Sequence, residues 1–342
     1  MDAVVPDKHK ENANYNLAEI LSGEDLNQIL HSRRKDGYEY YIELNETGIQ
    51  LPQDRDGVLT MKSDITERIK AEKKLKKVNK KLEREYEKAE NLHHSILPDK
   101  APQIEGLKIA AYYEPAYRLG GDFYDFYETG ADENRLIFYL SDISGHDLSS
   151  SMINVFLKDT VNTFLREEGY FDRRGRADFN LVKLIKSVGR GFQELDVPAE
   201  YFITLLAGSI SVDRGKIKLC NAGFHFPPLL LREGEFIQPN KNGIPITSLE
   251  GLNFKYEESE MNFQPGDTLF AHTDGLIEQE IKSENEAESR EIFGEKKLLE
   301  VLKSHKEGSP DKIIEAVNNR LEEEKGEAEI QDDLTYLVIQ HI

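Results

Sequence analysis

The chain has 342 residues, 38% of them hydrophobic, with 15 Tyr and 16 Phe, which is enough apolar mass for a core and excludes wholesale disorder. Acidic residues outnumber basic ones 64 to 44, a formal net charge of −20, so charge-driven binding of nucleic acid is excluded. The single cysteine, Cys220, excludes a disulfide framework or cysteine-based zinc site, and neither a signal peptide nor an apolar run of the ~20 residues that cross a bilayer is present, so a cytoplasmic chain with no membrane partner is expected.

The length favours about two domains with a connector. Within residues 1–64, extended segments at 38–44 and 58–61 flank polar turns and read as a hairpin. Residues 65–97 contain neither Gly nor Pro and are rich in Lys and Glu, which predicts a helix. Asp64 is placed to cap it, with Glu67 completing a capping box, and Pro98 ends it. Ala71, Leu75, Val78, Leu82, Ala89, Leu92 and Ile96 follow a heptad seam broken only at Glu85. Such a seam predicts a two-stranded coiled coil, hence a homodimer through residues 65–97.

From 98 to 342 the pattern is mixed. Strands are expected at 107–113, 135–141, 202–211, 216–221, 268–272 and 334–339, and helices at 151–168, 179–195, 295–304 and 310–324. That order favours an α+β domain of antiparallel sheets flanked by helices.

Four motifs place an aspartate at or near a strand end. They are Gly120-Gly121-Asp122-Phe123-Tyr124-Asp125, Ser141-Asp142-Ile143-Ser144-Gly145-His146, His272-Thr273-Asp274-Gly275 and Gln331-Asp332-Asp333-Leu334-Thr335. Taken singly, each reads as an ordinary turn. Four in one domain point elsewhere, because converging carboxylates repel one another unless a cation lies among them. Oxygen donors without Cys or clustered His select Mg2+ or Mn2+, and two such ions suit phosphate-ester hydrolysis.

The collinear blocks Leu97-Pro98, Tyr113 to Asp125, Asp142 to His146, Asn221-Ala222-Gly223, Pro265 to Leu269, Thr273 to Glu278, Phe293-Gly294 and Asp332 to Thr335 resemble bacterial SpoIIE/RsbU-type phosphatases, of the metal-dependent PPM (PP2C-like) class. The resemblance covers residues 97–342. It implies an αββα sandwich of two antiparallel sheets between helical layers, with two Mn2+ or Mg2+ ions at one sheet edge. By the same resemblance Asp142 bridges both ions, the Ile143 carbonyl is a backbone ligand, Asp122 binds one ion, and Asp274 and Asp332 bind the other, with Asp333 as the alternative member of its pair. A hydroxide bridging the ions is the implied nucleophile. The implied substrate is a phosphoserine or phosphothreonine, on a phosphorylated STAS-type anti-sigma-factor antagonist in a partner-switching pathway.

Several residues depart from the family pattern or extend it. Asp147 stands where the family has Gly, and Asn221-Ala222-Gly223-Phe224-His225 displaces or replaces the usual histidine. His146 could protonate the leaving oxygen, or stand at a helix start or behind the metal ligands. Arg118 could contact phosphate or be an ordinary surface arginine. Arg34-Lys35-Asp36-Gly37 and Asp64-Ile65-Thr66-Glu67-Arg68 resemble the end of a PAS sensory domain, here short. Two rival functions are a catalytically degenerate phosphatase-fold scaffold and a diguanylate cyclase, whose G-G-D loop continues with an acidic residue where this chain has Phe123.

Overall fold

The computed structural model describes residues 20, 25–33, 36–53, 55–129, 134–145, 148–168, 179–238, 243–249, 255–282 and 291–342. The chain divides into two compact units, Met1–Glu85 and Tyr86–Ile342, with the division inside one long helix.

In the first unit β1 (Leu26–Arg33), β2 (Glu39–Leu51) and β3 (Arg55–Asp64) form a three-stranded antiparallel sheet in the order β1-β2-β3. The β2–β3 pair is the expected hairpin, longer at both ends; β1 was not legible because Leu26–Arg33 interrupts its apolar residues with Asn, Gln and His. Helix α1 (Thr66–Ile96) follows directly. Asp64 accepts from the Thr66 amide at 3.0 Å, as a cap should, but Glu67 pairs with Lys70 at 3.2 Å, so no reciprocal capping box is drawn. The first turns of α1 are tied to β2 by Tyr41 N donating to Thr66 Oγ1 at 2.9 Å and Lys73 Nζ donating to Tyr41 Oη at 2.7 Å. Along α1 the side chains of Leu75, Val78, Leu82 and Leu92 are exposed.

The second unit is a four-layer sandwich. One sheet contains β5 (Phe123–Glu128), β6 (Arg135–Ile143), β7 (Phe202–Ser211), β8 (Lys216–Ala222) and β12 (Glu258–Asn262), in the order β12-β8-β7-β6-β5. A short β11 (Ile246–Thr247) also pairs with β7. The other contains β4 (Leu107–Glu114), β9 (Leu229–Arg232), β10 (Glu235–Ile237), β13 (Thr268–His272) and β16 (Leu334–His341), in the order β10-β9-β13-β16-β4. All their pairings are antiparallel. Helices α2 (Leu148–Glu167) and α3 (Leu181–Glu194) cover the first sheet; α4 (Asp274–Glu278), α5 (Gly294–Ser304) and α6 (Pro310–Lys325) cover the second. A small β14 (Glu280–Ile281) and β15 (Glu291–Ile292) pair beside α4.

Alternation along the strands builds three apolar layers. Phe138, Leu140, Leu206, Leu269 and Leu337 fill the space between the sheets. Tyr139, Ile137 and Leu205 face the other way, against Leu157, Val161, Leu184 and Val188 of α2 and α3. Phe270, Tyr336 and Val338 meet Leu298, Ile313 and Val317 of α5 and α6. Gly208 is required by this packing, since a Cβ there would collide with the Phe138 ring.

Candidate active site

The acidic motifs meet at one end of the sandwich. Asp122 immediately precedes β5, Asp142 is the penultimate residue of β6, Asp274 opens α4 after β13, and Asp332 lies two residues before β16. Two loops must come together for this. A Cβ on Gly121 would lie 2.5 Å from the Ile143 carbonyl oxygen and 2.7 Å from that of Gly145, so only glycine lets the 120–122 backbone lie against the end of β6. The Ile143 amide donates to the Gly121 carbonyl at 3.3 Å, closing that contact.

Asp122 is buried and stitches the two sheets together. Its Oδ2 accepts from Thr273 Oγ1 at 2.7 Å and Thr335 Oγ1 at 2.5 Å, the first just past the end of β13 and the second in β16 of the opposite sheet. Those threonines are neighbours because Thr273 N donates to the Thr335 carbonyl at 2.9 Å, one step beyond the His272–Tyr336 pairing. Asp333 is also buried, and its oxygens accept from the amides of Ala116 (2.9 Å), Gly121 (2.6 Å) and Asp122 (3.2 Å). Its carboxylate therefore holds the loop that carries Asp122. Asp332 Oδ1 accepts from the Asp333 amide at 2.8 Å.

The electrostatics record the convergence. Burial, then the charges of Asp274, Asp332 and Asp333, push the Asp142 carboxyl up to about 8. Burial, then Asp142 and Asp333, raise Asp122 well above the carboxylate range, against the two threonine hydrogen bonds. Burial and then Asp332 raise Asp274, while His225 opposes the shift. Among the described residues no three His, Cys, Asp or Glu stand close enough together to grip one ion. Their all-oxygen chemistry is that of a hard divalent cation. By donor type the residues present fit such a cation.

Some expected groups lie elsewhere. Phe224, where the family has its histidine, is buried in the core, and Asn221 closes a turn by accepting from Phe224 N at 2.7 Å and donating to Phe224 O at 3.0 Å. His225 remains exposed on the Asp274 side. Arg118 is exposed. His146 and Asp147, like Arg34 and Lys35, fall outside the described residues. Cys220 is buried in β8. Thr273 and Thr335 belong to motifs read from the sequence, but their hydroxyl roles became visible only when β13 and β16 were paired.

Two antiparallel sheets between helical layers, with acidic loops at one edge, define a PP2C-like architecture. The same fold is found in the SiaA PP2C domain of Pseudomonas aeruginosa (TM-score 0.63, 20% identity, 77% of this chain and 98% of that one). Residues 132–342 match the model of stage II sporulation protein E (SpoIIE), and the chain belongs to that family. Among its relatives are two proteins of Bacillus subtilis named phosphoserine phosphatases. RsbP is 24% identical over 238 residues, covering 68% of this chain and 52% of RsbP. RsbU is 21% identical over 267 residues, covering 78% of this chain and 72% of RsbU. The chain thus spans about half the length of RsbP, and 35% of a longer relative from Synechocystis. Family membership sets aside the diguanylate cyclase reading. Among the described residues no helix is long and apolar enough to cross a membrane.

Proposed function

We propose that the chain is a metal-dependent protein serine/threonine phosphatase acting in the cytoplasm on a phosphoserine of a STAS-type anti-sigma-factor antagonist. The observation that carries this is the convergence of Asp122, Asp142, Asp274 and Asp332 from four separate stretches of sequence, each of the first three raised in pKa by burial and by its neighbours. Relatives named phosphoserine phosphatases support the substrate class.

In this reading Asp142 would serve two Mn2+ or Mg2+ ions, the Ile143 carbonyl would be a backbone ligand, Asp122 would hold one ion, and Asp274 and Asp332 would hold the other. Bound ions would activate water and neutralise charge on the phosphoryl oxygens. The chain's own contribution is orientation. Thr273 and Thr335 fix the Asp122 carboxylate, and Asp333 fixes the backbone before it. We assign Asp333 to that task and Asp332 to the ions. His146 would be placed to deliver a proton to the leaving oxygen, and Arg118 to meet the phosphoprotein.

Residues 1–64 would act as a PAS-like sensory module, 65–97 as a coiled-coil linker and 98–342 as the phosphatase. The exposed Leu75, Val78, Leu82 and Leu92 supply the seam for a homodimer. The test is a Mn2+-titrated phosphatase assay on phosphorylated STAS proteins from the same genome, with p-nitrophenyl phosphate alongside. Release of phosphate dependent on Mn2+ is expected. Binding of the partner without turnover of either substrate would favour a scaffold instead.

A further inference from the structure

The 120–122 backbone has two sides, and the Asp333 carboxylate satisfies only one of them. Asp333 takes the amides of Gly121 and Asp122; the carbonyls point towards α2. There the fully buried Asn154 places its Nδ2 3.4 Å from Gly120 O, 3.2 Å from Gly121 O and 3.4 Å from Asp122 O. Ser151, one turn earlier, donates to Gly120 O at 3.3 Å. The orientation of the amide follows from its partners, because three carbonyl acceptors require the NH2 and not the oxygen. Among the described residues Asn154 Oδ1 has no hydrogen-bond partner although it is buried, a cost accepted to keep the donor on the loop.

The same Nδ2 lies 3.4 Å from Nε2 of His93, buried near the end of α1. An amide nitrogen only donates, so where these two bond the ring nitrogen accepts, as a neutral imidazole does. Burial, with His94 beside it, lowers His93 to about 4 and keeps it neutral. One turn further along α2, Lys158 ties the same end of α1 to β5, donating to the Ile96 carbonyl at 2.5 Å and pairing with buried Asp125 at 2.9 Å. Ser151, Asn154 and Lys158 share one face of α2. That face is wedged between the end of α1 and the segment from Gly120 to Asp125.

We propose that Asn154 is a positioning residue: it holds the Gly120–Asp122 backbone in the arrangement that presents Asp122 to a metal ion, and His93 of α1 holds Asn154. The metal part rests on the phosphatase reading above; the backbone part does not. None of the acidic motifs contains either residue, and neither touches the reacting atoms.

The test uses the full chain and readouts besides turnover. Mn2+ binding is measured by titration calorimetry, and amide hydrogen exchange at residues 119–124 is measured without metal. Asn154→Leu keeps the heavy-atom count and the branch at Cγ and removes the donor. It should weaken Mn2+ binding at least about tenfold, as loss of a partner behind a metal ligand does, and speed exchange at 120–122. In p-nitrophenyl phosphate assays kcat should fall while KM stays level. Asn154→Ser, which restores one donor, should recover part of the affinity. His93→Phe keeps the ring packing and removes the acceptor, and should shift both readouts the same way by a smaller factor. A folded Asn154→Leu with wild-type Mn2+ affinity and wild-type exchange overturns the proposal. If Asn154→Leu does not fold, His93→Phe with both readouts at wild-type values overturns it. A wild type that binds Mn2+ without turnover sinks the phosphatase reading, while binding and exchange still decide the role of Asn154.

Discussion

Asp332 and Asp333 are adjacent, identical in chemistry and assigned opposite duties, so replacing each with Asn separates those duties. Asp333 accepts amide hydrogens from Ala116, Gly121 and Asp122 at 2.9, 2.6 and 3.2 Å. An asparagine there keeps one acceptor and turns an NH2 towards at least one amide. Losing one or two charge-assisted bonds in a buried site should cost about 3 kcal/mol of metal-free stability. At about 2–4 °C per kcal/mol for a unit of this size, the melting temperature should fall by roughly 6–12 °C. The charge of Asp333 raises Asp142 and Asp122 and that of Asp332 raises Asp142 and Asp274, so both replacements ease repulsion and the distinction rests on the loop amides that Asp333 accepts. Asp332→Asn relieves that repulsion, so metal-free melting should be unchanged or slightly higher, while the stabilisation conferred by Mn2+ should be lost. Circular-dichroism melts in EDTA and in excess Mn2+ measure both. The division of labour is refuted if Asp333→Asn stays within about 0.5 kcal/mol of wild type in EDTA, the range of ordinary surface changes. It is equally refuted if Asp332→Asn keeps the full Mn2+ shift.

Folding lifts the Asp142 carboxyl up to about 8, chiefly by burial, so without metal the protonated form is the one the fold favours. Its contribution is therefore complete below the unfolded value of about 4 and lost as pH rises through about 8. Metal-free melting temperature should fall across that window while the increment from Mn2+ grows; a metal-free melting temperature that rises steadily to pH 8 contradicts the burial of Asp142. Gly208→Ala would drive a methyl into the Phe138 ring between the sheets and should destabilise by about 1–3 kcal/mol in urea unfolding, an unchanged midpoint meaning that the ring yields. Glu85→Leu completes the seam of α1 and should tighten a homodimer in sedimentation equilibrium; a wild type that stays monomeric at tens of micromolar argues against the coiled coil.

Much of the sandwich was legible because its strands are buried and rich in β-branched and aromatic residues. Phe202–Ser211 and Thr268–His272 fall where the alternation and apolar runs place them. Strand β5 was hidden because Phe123–Glu128 reads as the continuation of a glycine turn, and β12 because Glu258–Asn262 is half-exposed and polar. The four acidic motifs were readable since each couples an aspartate to a strand end. The side chains that hold Asp122 were harder to read. Thr273 and Thr335 are 62 positions apart and 151 and 213 from Asp122, so only the pairing of β13 with β16 and the stacking of the sheets bring them together. Asn154 and His93 gave no signal, as an Asn inside a helix and a His beside another His are ordinary in sequence.

In the proposed reading, carboxylates from four stretches of chain hold divalent cations for phosphate-ester hydrolysis, with Asp142 at their centre. The most direct measurement is p-nitrophenyl phosphate hydrolysis against Mn2+ concentration for the wild type and Asp142→Asn, both checked for folding. The wild type should turn over only with Mn2+, and Asp142→Asn should lose turnover at every Mn2+ concentration because it removes the charge facing both ions. Near wild-type turnover by Asp142→Asn at saturating Mn2+ would mean that Asp142 does not hold the ions.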